Sequence, residues 1–159
     1  ILKVMLSYDY LWINIRVKGG AYGCMSGIGR SGEGYFVSYR DPEVKKSDDI
    51  YLGIPAYLEN FEADERTMTK YVIGTISDID TPLTPSLQGS RGLSAWYSGV
   101  TDEMLKKREE ILNATVEDIR ALAPITKAIL ETGAVCVVGN EDKIKADSEI
   151  FKEIKPLFA

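Results

Sequence analysis

The chain has 159 residues, 45% apolar and 27% charged, a balance that suits one ordinary globular core. Its formal charge of −5, from 24 acidic and 19 basic residues, speaks against a nucleic-acid footprint, and no basic stripe interleaved with aromatics occurs. There is no histidine, which removes the usual general base and the commonest zinc ligand. No apolar run approaches the roughly 20 residues of a membrane-spanning helix, and no signal-peptide pattern is present. The two cysteines, Cys24 and Cys136, lie far apart in apolar or Gly-rich surroundings. They are expected to be buried free thiols in a reducing compartment.

The chain opens inside an amphipathic helical pattern, Ile1 to Ile15, with no initiator methionine and no cap ahead of it. The expectation is a piece of a longer polypeptide. Gly19-Gly20 ends this helix near Lys18 and reverses the chain into a strand beginning near Tyr22. Arg16 then falls on the last helical turn and Tyr22 at the first strand position. Residues 22–28 and 33–39 form a hairpin around Gly29-Arg-Ser-Gly32.

Asp41-Pro42 starts a helix whose apolar positions Ile50, Ile54, Tyr57, Leu58 and Phe61 are kinked at Pro55. Asp64 opens another, with Met68, Tyr71, Val72 and Ile76 on one face. Thr81-Pro-Leu-Thr-Pro85 is a rigid connector to a helix over 86–98 around Leu93, Trp96 and Tyr97. Thr101-Asp-Glu begins the next helix, and Thr115-x-x-Asp118 reads as a capping box for one running through Ile129 and ended by Gly133. Ala134 to Val138 has a buried-strand pattern; Glu141 to Ala146 is a short helix, and the tail through Phe158 is irregular or extended. No repeat or long linker divides the chain, so residues 1–159 are read as a single domain.

Two isolated cysteines have no zinc-site spacing, and Cys24 lacks a base that would make it a nucleophile. The acidic pairs Asp48-Asp49, Glu109-Glu110 and Glu141-Asp142 are read as solvated helix faces. The glycines from Gly19 to Gly34 match neither GxGxxG nor GxxxxGK[ST], and they follow a helix instead of a strand. They are read as hairpin and turn residues, or as places where another backbone approaches closely. What remains is Arg16-Val-Lys-Gly-Gly-Ala-Tyr-Gly23, where a fixed fork of donors and a neutral phenol flank a Gly-Gly turn. By themselves these residues fit two roles: donors aimed into one pocket, or a helix-end cation beside an ordinary strand aromatic.

Asp9-Tyr-Leu-Trp12 followed by Arg16 to Gly23 resembles the C-terminal domain of the presequence proteases, in the pitrilysin and insulinase group of zinc metallopeptidases. The likeness continues through Phe61-Glu-Ala-Asp-Glu-Arg66, Tyr71 to Pro82, Lys107-Arg-Glu-Glu-Ile-Leu112 and Asp118-Ile-Arg-Ala-Leu122, and covers nearly the whole chain. The resemblance implies an α+β fold, a mostly antiparallel sheet covered by helices on one face, forming part of a clamshell and incomplete at its N-terminus. In that group an inverted His-x-x-Glu-His motif in the N-terminal half holds zinc, and this chain has no such motif. The implied cofactor is therefore zinc in the full-length enzyme, with no metal ligand here.

By the same resemblance Tyr22 is catalytic, donating a hydrogen bond to the oxyanion, and Arg16 binds a substrate backbone carbonyl. Gly19 and Gly20 let the loop approach an extended peptide. The implied function is the C-terminal part of a metalloendopeptidase acting on short unstructured peptides, inactive alone. Its implied partners are the N-terminal half of the same polypeptide and the peptide substrate, not nucleic acid or membrane. Self-association of the fragment is a further expectation, and a bacterial cytoplasm or an organelle matrix is the implied location. The alternatives are a non-catalytic peptide- or partner-binding module and a structural chamber wall.

Overall fold

The computed structural model describes residues 1–29, 32–100 and 103–157, with the backbone alone at 103–105. The turn residues Arg30 and Ser31, the expected helix start at Thr101-Asp102, and Phe158 lie outside that description. The chain divides into two compact units, one of Glu62–Ile119 with Ile1, the other of Leu2–Phe61 and Arg120–Ala159.

The larger unit begins with helix α1, a single α turn over Leu2–Met5 that continues with π winding over Leu6–Tyr10 and Trp12–Val17. The Leu11 N–H donates to Leu6 C=O and Lys18 N–H to Ile13 C=O, both five residues back. That winding puts Leu6 and Leu11 on one face. Together with Met5 and Ile15 they are the centre of the core, each at most 1% exposed. Burying each such side chain is worth about 1.5–3 kcal/mol. The expected helix thus forms, with wider turns than ordinary α periodicity implies.

Strands β1 (Gly23–Ile28) and β2 (Gly34–Tyr39) pair antiparallel, with Cys24 opposite Ser38 and Met25 opposite Val37. The inner face carries Cys24 and Ser26, and the outer face exposes Met25, Tyr35, Val37 and Tyr39. The helix expected at Pro42 starts two residues later as α2 (Val44–Leu52), because the Asp41 carboxylate holds the preceding turn. Its Oδ1 accepts from Glu43 N–H at 2.9 Å and its Oδ2 from Ser47 Oγ at 2.5 Å. Instead of a kink at Pro55, the helix stops at Gly53 and restarts as α3 (Ile54–Glu59), where Pro55 occupies a favourable first-turn position. Tyr10 stacks on Tyr57 at 4.5 Å and its hydroxyl donates to Ile50 C=O, tying α1 to this break.

In the smaller unit, α4 (Glu65–Ile79) is capped by Asp64, whose side chain accepts from Thr67 N–H, and Tyr71 is its buried residue. Next come α5 (Pro85–Tyr97), capped by Thr84, and α6 (Glu103–Leu112). Arg108 Nε lies 2.9 Å from Asp80 Oδ2, pairing α6 with the end of α4. Leu93, Trp96 and Tyr97 are on α5 as expected, and all three are exposed.

The capping box forms as read: Thr115 N–H donates to Asp118 Oδ2, and Asp118 N–H to Thr115 Oγ1. It heads a short α7 (Val116–Arg120). The long helix expected through Ile129 is broken at 121–122, and α8 (Ala123–Glu131) begins anew with Pro124 in its first turn. Gly133 then takes φ of +61° and ends α8.

The buried strand expected at 134–138 does not form. These residues take no place in a sheet, and Cys136 is exposed, so one of the two expected buried thiols is not buried. Apolar residues without a neighbouring strand to bond cannot make a ladder, whatever their pattern. Among the described residues the sheet has two strands, one fewer than expected, and the molecule is mostly helical, an α+β composition. The last elements are α9 (Glu141–Ala146), capped by Asn140, and a 3₁₀ turn at Ser148–Ile150.

Candidate functional site

The turn between α1 and β1 is closed by its own backbone. Gly20 N–H donates to Arg16 C=O and Ala21 N–H to Ile15 C=O, each bond one residue wider than in the usual glycine helix cap, as π winding demands. Gly20 supplies the required left-handed conformation at φ +83°. Gly19 is needed for space, since a Cβ there would stand 2.5 Å from the Ile15 carbonyl oxygen. Ala21 is buried, so the turn is anchored on the core directly before Tyr22.

Arg16 lies on the last turn of α1, where its guanidinium rests 4.0 Å from the centre of the Trp12 ring. The stacking leaves the planar donor fork oriented by an aromatic face. Tyr22 precedes β1. Its N–H donates to Tyr39 C=O at 3.0 Å although the register pairs Tyr39 with Gly23, so Tyr22 enters the ladder as an extra residue, as in a bulge. The side chain is 64% exposed, and its ring meets Tyr39 edge-on with centroids 5.9 Å apart. Arg40 sits over both rings, 5.7 Å from Tyr22 and 5.4 Å from Tyr39.

The predicted pair is therefore carried at the two ends of one closed turn, each member braced by an aromatic of its own. Trp12, Tyr39 and Arg40 are the members that sequence reading did not assign. Their signals were the four-residue spacing from Trp12 to Arg16 and the hairpin register, which sets Tyr39 opposite a side-chain-free Gly23.

Cys24 is one strand position inward. Burial pushes its thiol up, Arg16 opposes that and Asp41 adds to it. A separate cavity of about 480 Å³ lies between β2, α2 and residues 132–137. The Tyr51 hydroxyl is buried there without a hydrogen-bond partner. Burial pushes its phenol up to about 12; neighbouring Ser38 opposes the shift without completing a hydrogen bond of good geometry. Among the described residues, no group of three His, Cys, Asp or Glu side chains is placed to hold a metal ion. No described helix is long and apolar enough to cross a membrane.

Comparison with known proteins gives the family. The chain is 47% identical over 156 residues to Protein HypA of Clostridium perfringens (strain 13 / Type A), covering 98% of this chain and 16% of that protein. It is 38% identical over 152 residues to presequence protease 1, chloroplastic/mitochondrial, of Arabidopsis thaliana, covering 94% of this chain and 14% of that one. With the mitochondrial presequence protease of Schizosaccharomyces pombe (strain 972 / ATCC 24843) it shares 33% identity over 125 residues, covering 77% of this chain and 12% of the relative. The chain is a peptidase-associated domain. A family model described as the PreP C-terminal domain matches residues 1–141, and the chain belongs to that presequence-protease family. It spans 12–16% of the length of these three relatives.

Proposed function

We propose that this chain is the part of a zinc metalloendopeptidase that holds the substrate and stabilises its transition state. Tyr22 donates its phenolic hydrogen to the scissile carbonyl oxygen as negative charge develops there, and Arg16 holds a neighbouring backbone carbonyl. What carries the reading is one observation. An exposed phenol and a stacked guanidinium are carried at the ends of a turn whose backbone is closed by the Gly20 and Ala21 bonds. Donors placed by a closed turn need less reorganisation as charge develops, which favours this kind of catalysis.

The outer face of the hairpin, with Met25, Tyr35, Val37 and Tyr39 exposed next to Tyr22, supports an extended unstructured peptide as the substrate. Zinc is assigned to an N-terminal half that closes on this one as a clamshell; the sequence has no histidine, and among the described residues no group of three His, Cys, Asp or Glu side chains is placed to hold a metal ion. The chain alone is then inactive. Relatives named for mitochondria and chloroplasts support an organelle matrix, and a bacterial cytoplasm is the other location proposed.

The test is hydrolysis of a quenched fluorescent peptide by this chain with zinc, alone and mixed with the N-terminal half of its polypeptide. Activity on mixing only is expected, with turnover reduced about 10²–10³-fold by Tyr22→Phe. Chelator-sensitive hydrolysis by the chain alone, or full activity of Tyr22→Phe in the mixture, overturns the proposal.

A further inference from the structure

Arg40 is the one non-glycine residue with positive φ among the described residues, at +49°, a conformation that L side chains rarely adopt. The backbone on both sides is tied down. Before it, Tyr39 C=O accepts from Tyr22 N–H. After it, Asp41 accepts from Glu43 N–H and Ser47 Oγ, and Lys143 Nζ donates to Pro42 C=O at 2.9 Å. The Pro42 ring in turn lies within van der Waals reach of Gly20, 3.5 Å from where its Cβ would stand. The Gly19-Gly20 turn that delivers Tyr22 and the Asp41-Pro42 turn that follows Arg40 thus pack on each other.

A glycine would satisfy this φ without strain. What arginine adds is its side chain, and the guanidinium is within about 6 Å of the centres of two rings, the reach of a cation–π contact. Tyr22 is exposed; Tyr39 meets it edge-on, and Arg40 covers both. Backbone strain held in place by surrounding bonds, beside a functional side chain, is the pattern in which a conformation serves to aim a group.

We propose that Arg40 is a positioning residue, its guanidinium clamping the Tyr22 ring against Tyr39 so that the phenol stays aimed at the substrate carbonyl. The inference rests on the role given to Tyr22 above and deepens it. No bond to the substrate is ascribed to Arg40. Its removal therefore lowers turnover through Tyr22 and leaves substrate affinity nearly unchanged.

The experiment is steady-state hydrolysis of the same quenched peptide by the complete polypeptide carrying Arg40→Gly, Arg40→Lys, Tyr22→Phe, or Arg40→Gly with Tyr22→Phe. Arg40→Gly suits the backbone, so its thermal midpoint is expected to equal or exceed that of the parent. Its kcat should fall about tenfold with KM within about twofold. Arg40→Lys, which keeps a cation over the rings, should restore most of kcat. Once the Tyr22 hydroxyl is gone, Arg40→Gly should cause no further loss, because residues acting as one unit are not additive. Full kcat in Arg40→Gly, no rescue by lysine, or an equal loss in the Tyr22→Phe background overturns the inference while the role of Tyr22 stands. Full kcat in Tyr22→Phe removes that role and this inference with it.

Discussion

A Cβ at residue 19 would meet the Ile15 carbonyl oxygen at 2.5 Å, whereas one at residue 20 would meet nothing closer than 3.5 Å but would be strained at φ +83°. The two glycines thus fail differently on substitution. Gly20→Ala is expected to cost about 1–2 kcal/mol of stability. Gly19→Ala, which forces backbone apart, should cost about 2–3 kcal/mol and move the turn; urea unfolding of the two variants checks the order.

Tyr51 offers a pH test of a buried phenol. Its folded-state pKa is raised, chiefly by burial, from 10 to about 12. The neutral form is therefore favoured on folding; the associated stability is complete below pH 10 and is lost as pH rises through about 12. Urea midpoints should fall across that window, and Tyr51→Phe should flatten the fall. Losing the unpartnered hydroxyl should leave the variant at least as stable as the parent near neutral pH. The thiols should also separate: Cys136 reacts at once with a disulfide reagent, and Cys24 only on unfolding.

Among the elements, α7 shows how far local chemistry can decide structure. The Thr115 backbone and side chain donate to the Asp118 carboxylate and hold it below its ordinary range. This contribution is present above the unfolded-state pKa and is lost as pH falls through the depressed folded value. Thr115→Ala removes the cap of a five-residue helix and should cost about 1 kcal/mol, read from thermal melts at neutral pH. The hairpin is governed differently. Gly34 lies where any Cβ would strike the Ile129 side chain at 2.3 Å, so β2 is seated against α8 by the absence of a side chain.

For the whole molecule, the edge of β2 that no described strand pairs with matters most. Gly29 N–H bonds to Glu33 C=O, and the alternation from there turns Tyr35, Val37 and Tyr39 toward β1 and the backbone of Gly34, Phe36 and Ser38 away. Among the described residues no strand covers that side. An open edge next to exposed apolar side chains invites pairing between copies. The isolated chain is expected to sediment as a concentration-dependent mixture of monomer and larger species; a monomer at every concentration would refute this.

The hairpin, the caps at Asp64 and Thr115, and the break at Gly133 were legible in the sequence because each depends on chemistry within a few residues. The Arg16 and Tyr22 turn was legible for the same reason, with one glycine marking a place where a side chain cannot fit and the other a left-handed backbone. The π winding of α1 was not, since it follows from packing Leu6 and Leu11 on one core. Nor was the fate of 134–138, whose strand pattern needs a partner strand that local sequence does not supply. Where the chain turns, and which side chains the candidate site offers, follow from residues close together in the sequence. What braces them follows from the folded molecule, because Arg40 and Tyr39 reach Tyr22 through cross-strand register and two packed turns, contacts made between segments distant along the chain.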